Sequence, residues 1–192
     1  MKKIVTLVAA IAFAIALAAC GSDDGASSGR GSGAGNPTDR AFAQAMIPHH
    51  ESAVAMAEIA QDRGQSRFVK QLADDIVRAQ NREIETLRAR DRALDDAGIS
   101  VGGLGMDHEM MGMDDDPSML EEASPFDSTF IEMMIPHHEG AIAMARVELD
   151  KGSDPNLRHL ARDIVDAQER EITEMKDHTS GSSGMHETEH AS

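Results

Sequence analysis

The chain has 192 residues, with 34 Asp+Glu against 18 Lys+Arg and a formal net charge of -16. That length allows one domain or two very small ones, and so acidic a chain repels phosphates, which excludes nucleic acid as a partner. With no Trp, no Tyr and five Phe, the core must come from Ala, Leu, Ile, Val and Met, which suits packed helices better than a β-sandwich.

The chain opens with Met1-Lys2-Lys3 and an apolar run from Ile4 to Ala19, short for a membrane span and suited to a signal segment. The run ends in Leu17-Ala18-Ala19-Cys20, followed by Gly21. Small residues before a lone Cys resemble the bacterial lipoprotein signal. Residues 1–19 are therefore read as a leader and Cys20 as the lipidated residue that anchors the protein to the membrane outside the cytoplasm. Cys20 is the only cysteine, so no disulfide is available and the fold depends on packing. Residues 20–38 are Gly/Ser-rich and apolar-poor, a flexible tether.

The domain proper, 39–179, contains an internal repeat. Residues 42–88 align with 130–176 without a gap, and 23 of the 47 positions are identical. The densest match pairs Met46-Ile47-Pro48-His49-His50-Glu51 with Met134-Ile135-Pro136-His137-His138-Glu139. A second block pairs Ala79-Gln80 and Arg82-Glu83-Ile84 with Ala167-Gln168 and Arg170-Glu171-Ile172.

Each repeat, 39–97 and 127–179, reads as a helical hairpin. Phe42, Met46, His49, Ala53, Met56 and Ala60 recur at steps of three or four, one face of a helix that starts near Thr38 or Asp39 and stops at Gly64. The second helix runs from about Ser66 to Ala97, with Glu83 near its apolar stripe. The second repeat starts near Asp127 or Ser128, turns at Gly152 and restarts at Pro155, its last helix ending near Thr179. Pro48 and Pro136 either kink their helices beside the histidines or start them. Two hairpins with one apolar face each bury those faces against one another, giving an all-α four-helix bundle with a long connection, 98–126. That connection is rich in Gly, Met and Asp without a helical stripe and is read as mobile; the tail, 180–192, is read as flexible.

Metal chemistry is the strongest signal, carried by 13 Met and nine His. Positions i, i+3 and i+4 share a helix face, so Met46 neighbours His49 and His50, with Met56 further along the same side. Met134, His137, His138 and Met144 repeat the pattern. Imidazole suits Zn, Cu, Fe and Ni, and thioether narrows the choice towards Cu(I). In the connection Met106, Met110, Met111 and Met113 surround His108, a cluster suited to wrapping a soft monovalent ion. Glu51, Glu83, Glu139 and Glu171 are candidates for orienting the ligand histidines. The rival is a di-iron or di-manganese oxidoreductase using His49, His137, Glu83 and Glu171, although neither core repeat has the Glu-x-x-His spacing typical of such bundles. A third reading is a structural or partner-binding lipoprotein whose His pairs are packing. No nucleophile–base arrangement and no phosphate-cradling glycine motif is present, so binding is favoured over catalysis.

With Met-Ile-Pro-His-His-Glu present twice, each time followed by Ala-x-Ala-Met-Ala, the sequence resembles the ferritin-like family catalogued as domain of unknown function 305, that of the CopM-like periplasmic copper-binding proteins. The resemblance covers roughly 39–179. It implies a helical bundle and, as in the copper-associated members, copper binding through Met46, His49, His50, Met56, Met134, His137, His138 and Met144. The resulting expectation is an extracytoplasmic copper-binding lipoprotein that sequesters, buffers or hands on copper, with Cu(I) favoured and a copper-transfer protein as a possible partner.

Overall fold

Four long helices carry the molecule in a computed structural model that describes residues 35–113 and 116–185. They are α1 (Pro37–Arg63), α2 (Arg67–Asp96), α3 (Phe126–Lys151) and α4 (Pro155–Met185), with a 3₁₀ turn at Pro117–Leu120 between α2 and α3. Among the described residues there is no strand, and no helix is long and apolar enough to cross a membrane. The expected leader, Cys20, the tether as far as residue 34, and His186 and His190 of the tail lie outside the described residues.

The helix starts differ slightly from the sequence reading. The α1 cap is Asn36, not Thr38 or Asp39: its side chain accepts from the Thr38 and Asp39 amides, Asp39 accepts back from the Asn36 amide, and Pro37 takes the first helical position. Asp39 is buried because it has a second task. Its Oδ1 also accepts from the Ser153 and Asp154 amides at 2.9 and 2.8 Å, tying the α3–α4 turn to the start of α1. Beside it lies the buried Glu148, whose carboxyl is pushed up to about 9 by burial and then by Asp39, so it keeps its proton at neutral pH. Helix α3 starts at Phe126, one residue early, and α4 runs past Thr179 to Met185, so the first part of the tail is helical. Both α1 and α3 run through their prolines, which excludes a helix starting at Pro48 or Pro136.

Packing sets the direction of the helices. Ala41, Phe42 and Met46 of α1 cluster with Ala141, Met144 and Ala145 of α3, whereas Ala53, Met56 and Ala60 cluster with Phe126, Phe130 and Met134. Early residues of one helix meet late residues of the other, so α1 and α3 are antiparallel. Each also packs along its own hairpin partner, while α2 and α4 touch only thinly.

The connection is not the mobile loop that its composition suggests. At its start the Gly102 amide donates to the Pro37 carbonyl at 2.8 Å, and Leu104 is buried in the cluster around Met46. At its end Leu120 is buried, and Arg63 of α1 donates to the Leu120 carbonyl and, at 3.0 Å, to that of Ala123. In its middle Gly112, at φ +66, lies on the backbone of Pro136 and His137. A Cβ on Gly140 would stand 2.1 Å from the Met111 carbonyl oxygen. The matching residue of the first repeat is Ser52. Gly140→Ala therefore forces backbone apart and is expected to cost about 1–3 kcal/mol, as overpacking does, read as a Tm lowered by several degrees. An unchanged Tm would mean that the turn does not rest on α3.

Candidate metal centre

The antiparallel crossing of α1 and α3 brings the two His-His pairs together. Each pair sits between the two apolar clusters on its helix: His49 and His50 between Met46 and Ala53, His137 and His138 between Met134 and Ala141. All four rings are buried. The rings of His49 and His137 lie 3.8 Å apart centroid to centroid, tilted by 39°. These are equivalent residues of the two repeats, and equivalent residues touch only where a twofold axis passes. The internal symmetry axis therefore runs between His49 and His137.

His50 and His138 sit one step off this axis in matching surroundings. Nε2 of His50 donates to Glu83 Oε2 at 2.7 Å, and Nε2 of His138 donates to Glu171 Oε2 at 2.6 Å. With the carboxylate as acceptor, Nε2 carries a proton, and Nδ1 is the ring nitrogen left to offer a lone pair. Neither Nδ1 makes a hydrogen bond of good geometry, nor does either nitrogen of His49 or His137, although backbone groups of Met111 and His137 lie close to the His49 ring. Six buried ring nitrogens thus go unmatched, where buried polar atoms are ordinarily paired. Burial, followed by the neighbouring His50 and His138, lowers the His49 pKa to about 3. Burial, followed by His49 and His138, holds His137 well below the usual range. Both rings are neutral donors at physiological pH, the form a metal requires.

The thioethers follow the same symmetry. Met46 and Met144 are buried in the cluster on one side of the histidines, and Met56 and Met134 in the cluster on the other. Packing and donation are both open to them. Two further buried polar groups escaped the sequence reading. Gln80 and Gln168, equivalent in the repeats, are 3% exposed, and each leaves its Oε1 unpartnered. Each lies three residues before the glutamate that holds a histidine, on the same helix face. Their identity in both repeats was the available signal.

Several expected participants lie elsewhere. Glu51 and Glu139 are exposed and pair outward, with Arg88 and, at 3.4 Å, Lys176. They follow the histidines in sequence, but one residue is about 100° around a helix, so they face away from the rings. In the connection, Met106 and Met111 are half-buried and pack against the core cluster of Met46 and Met144, rather than standing free on a mobile loop. Met113 is half-buried, while Met110 and His108 are exposed. The connection places Met111 and Gly112 over Pro136 and Gly140, next to the central pair.

The di-iron alternative needs several carboxylates converging with histidines on one point. Among the described residues no group of three or more His, Asp and Glu side chains, the four histidines included, is arranged as a ready metal cage. Glu83 and Glu171 are each engaged by a separate histidine, on opposite sides of the axis. Thioether sulfur is the donor that such a His/carboxylate grouping leaves out.

Known proteins share this arrangement of helices. CopM has been solved in Cu(II)-bound, Cu(I)-bound, Ag-bound and apo forms. The Cu(II) form is 33% identical to this chain, with a TM-score of 0.65, over 74% of this chain and 96% of that one. A DUF305 fragment from Deinococcus radiodurans is 32% identical, with a TM-score of 0.62, over 74% of this chain and 95% of that one. Uncharacterized protein L153 of Acanthamoeba polyphaga mimivirus is 41% identical over 49 residues, 26% of this chain and 32% of that protein, so the chain spans about a third of the curated relative it matches. The profile of the family described as domain of unknown function (DUF305) matches residues 39–179, a span that takes in both hairpins and both pairs of histidines, and the chain belongs to that family.

Proposed function

We propose that this protein binds copper, preferentially Cu(I), at a central site where the two repeats meet, and that it buffers the ion or hands it on outside the cytoplasm while held at the membrane through a lipidated Cys20. One observation carries the reading: two equivalent histidines touch on the internal axis with all four ring nitrogens buried and unpartnered. Leaving buried polar atoms unmatched costs stability, roughly 1–3 kcal/mol each, unless a ligand satisfies them. His49 and His137 are the first candidates to hold the ion, with Nδ1 of His50 and His138 and the sulfurs of Met46, Met56, Met134 and Met144 as the surrounding donors.

The charge balance favours a monovalent soft ion. Imidazole and thioether are neutral, so the site adds no negative charge of its own against a buried cation, and a single charge is easier to bury than two. Glu83 and Glu171 sit one atom layer further out, orienting the off-axis histidines. The Cu(I)-, Cu(II)- and Ag-bound structures of CopM, a relative at about a third identity, support copper as the metal. Met110 and His108 on the exposed face of the connection suit a looser collecting role ahead of the buried site.

Titrating the full chain with Cu(I), Cu(II), Zn(II) and Fe(II) tests this reading. One tightly held equivalent of Cu(I), displacing Zn(II) and Fe(II), is the expected result. Two equivalents of iron or manganese held in preference would favour the oxidoreductase instead, and no retained metal would leave the histidines as packing.

A further inference from the structure

The four rings are closed off from solvent, so an ion needs a way in. The thin contact between α2 and α4 supplies an opening, a cleft of about 250 Å³. Phe68, Leu72 and Asp75 line it from α2, and Ala167, Glu171 and Glu174 from α4. Glu171 belongs to both places. It forms part of the cleft wall, and its Oε2 receives the hydrogen bond from His138 at 2.6 Å. The Glu171 side chain is 19% exposed and that of His138 is 0% exposed, so a single carboxylate spans the boundary between water and the buried donors.

We infer that this cleft is the route by which a soft monovalent cation reaches and leaves the central histidines, with the Glu171 carboxylate taking it from solvent and releasing it past the His138 N–H to the unpartnered Nδ1 of that ring. The inference rests on the copper-binding reading above and adds the path. The chemistry is ligand exchange without redox change: the His138 N–H···O bond opens while the carboxylate holds the cation and re-forms when the cation moves inward. Asp75 and Glu174 are exposed and, with Glu171, place three negative charges at the cleft, against Arg170 in its wall and Arg78, which pairs with Asp75. An acidic mouth with low-dielectric walls concentrates cations and speeds their capture. The repeat does not duplicate this mouth. The positions equivalent to Phe68 and Glu174 are Asn156 and Thr86, so the Glu83 side has neither the aromatic wall nor the second acid.

The test measures rates as well as affinity. Full chain is loaded anaerobically with Cu(I) delivered from bicinchoninate, and unloading is followed on return to excess chelator. Ala167→Phe narrows the cleft without replacing a histidine and should slow loading and unloading by a common factor, leaving the affinity unchanged. Ala79→Phe, at the equivalent position of the first repeat, should leave both rates as they are. Asp75→Lys combined with Glu174→Lys should slow loading roughly tenfold at low ionic strength, with the effect shrinking as salt is added. Both of those residues are exposed, so this pair carries the test even if Ala167→Phe fails to fold. Unchanged rates in the lysine pair and Ala167→Phe, or equal slowing by Ala79→Phe, would overturn the route while leaving the copper site standing. A wild-type chain that takes up no Cu(I) would remove the copper reading first, and the route with it.

Discussion

His49→Ala and His137→Ala should each weaken the central copper equivalent by about a hundredfold or more, and the double variant should lose little beyond either single one. The magnitude follows from ligand loss, since changes one shell further out already cost about 10–100-fold in metal affinity. The pattern follows from the axis. Duplicated sequence alone suggests two comparable sites, one per repeat, in which each single variant halves the capacity and the double abolishes it. Contact between the equivalent rings at 3.8 Å makes them parts of one site, so either substitution removes the same ion. Substitutions acting on a single shared site are strongly non-additive, whereas independent sites add. Competition titration of the two single variants and the double distinguishes the cases directly. Half-capacity single variants with unchanged affinity in the remaining half would rule out a shared centre. Glu83→Gln and Glu171→Gln, which leave every nitrogen donor in place, should weaken equilibrium binding by about 10–100-fold, less than either alanine.

What the sequence made legible was whatever local spacing or internal copying could encode. The repeat identifies the two hairpins, and steps of three and four place Met46, His49 and Met56 on one buried face. That Glu83 and Glu171 would reach a histidine was within the range of readings, because a carboxylate near an apolar stripe needs a partner. Which equivalent residues meet on the axis was not legible, since that depends on where two antiparallel helices cross. Gln80 and Gln168 were overlooked because a glutamine between Ala and charged residues looks like a solvated position until the fold buries it.

The connection misled for a tertiary reason. Its anchors, Leu104, Leu120, Gly112 and Arg63, are far apart in sequence and follow no period, while its Met and Asp content is that of a free segment. The contact of Met111 with Gly140 also explains why the repeat breaks there, with Gly140 opposite Ser52. The duplication thus persists at the donors and is lost where one copy must make room for the chain joining them.

The metal-free protein should be more stable once its central histidines are made apolar. In His49→Leu/His137→Leu four unpartnered nitrogens leave the core and side chains of similar bulk fill the space, so stability at pH 7 is expected to rise by about 2 kcal/mol or more. The same variant should lose a specific acid sensitivity. His49 and His137 have pKa values depressed in the folded state, His49 to about 3, against an ordinary 6.5 in the unfolded chain. Between those limits the unfolded state binds protons that the folded state refuses, so the stability fully present above about 6.5 is lost as pH falls towards 3. Each such group contributes up to about 1.4 kcal/mol per pH unit. Glu148 acts in the opposite sense: its folded pKa is raised to about 9, so its share of the stability is greatest at low pH and declines as pH rises from about 4.5 to 9. Because the leucine substitutions leave Glu148 in place, the difference between wild type and the double variant isolates the histidine part. Urea unfolding at intervals from pH 7 to pH 4.5, without metal, should show the wild type falling relative to the variant by between one and two protons' worth of slope. Parallel curves would place partners on those nitrogens and undo the case for an open metal site. A wild type that is less stable than its apolar variant, yet keeps both histidines, retains them for what they bind.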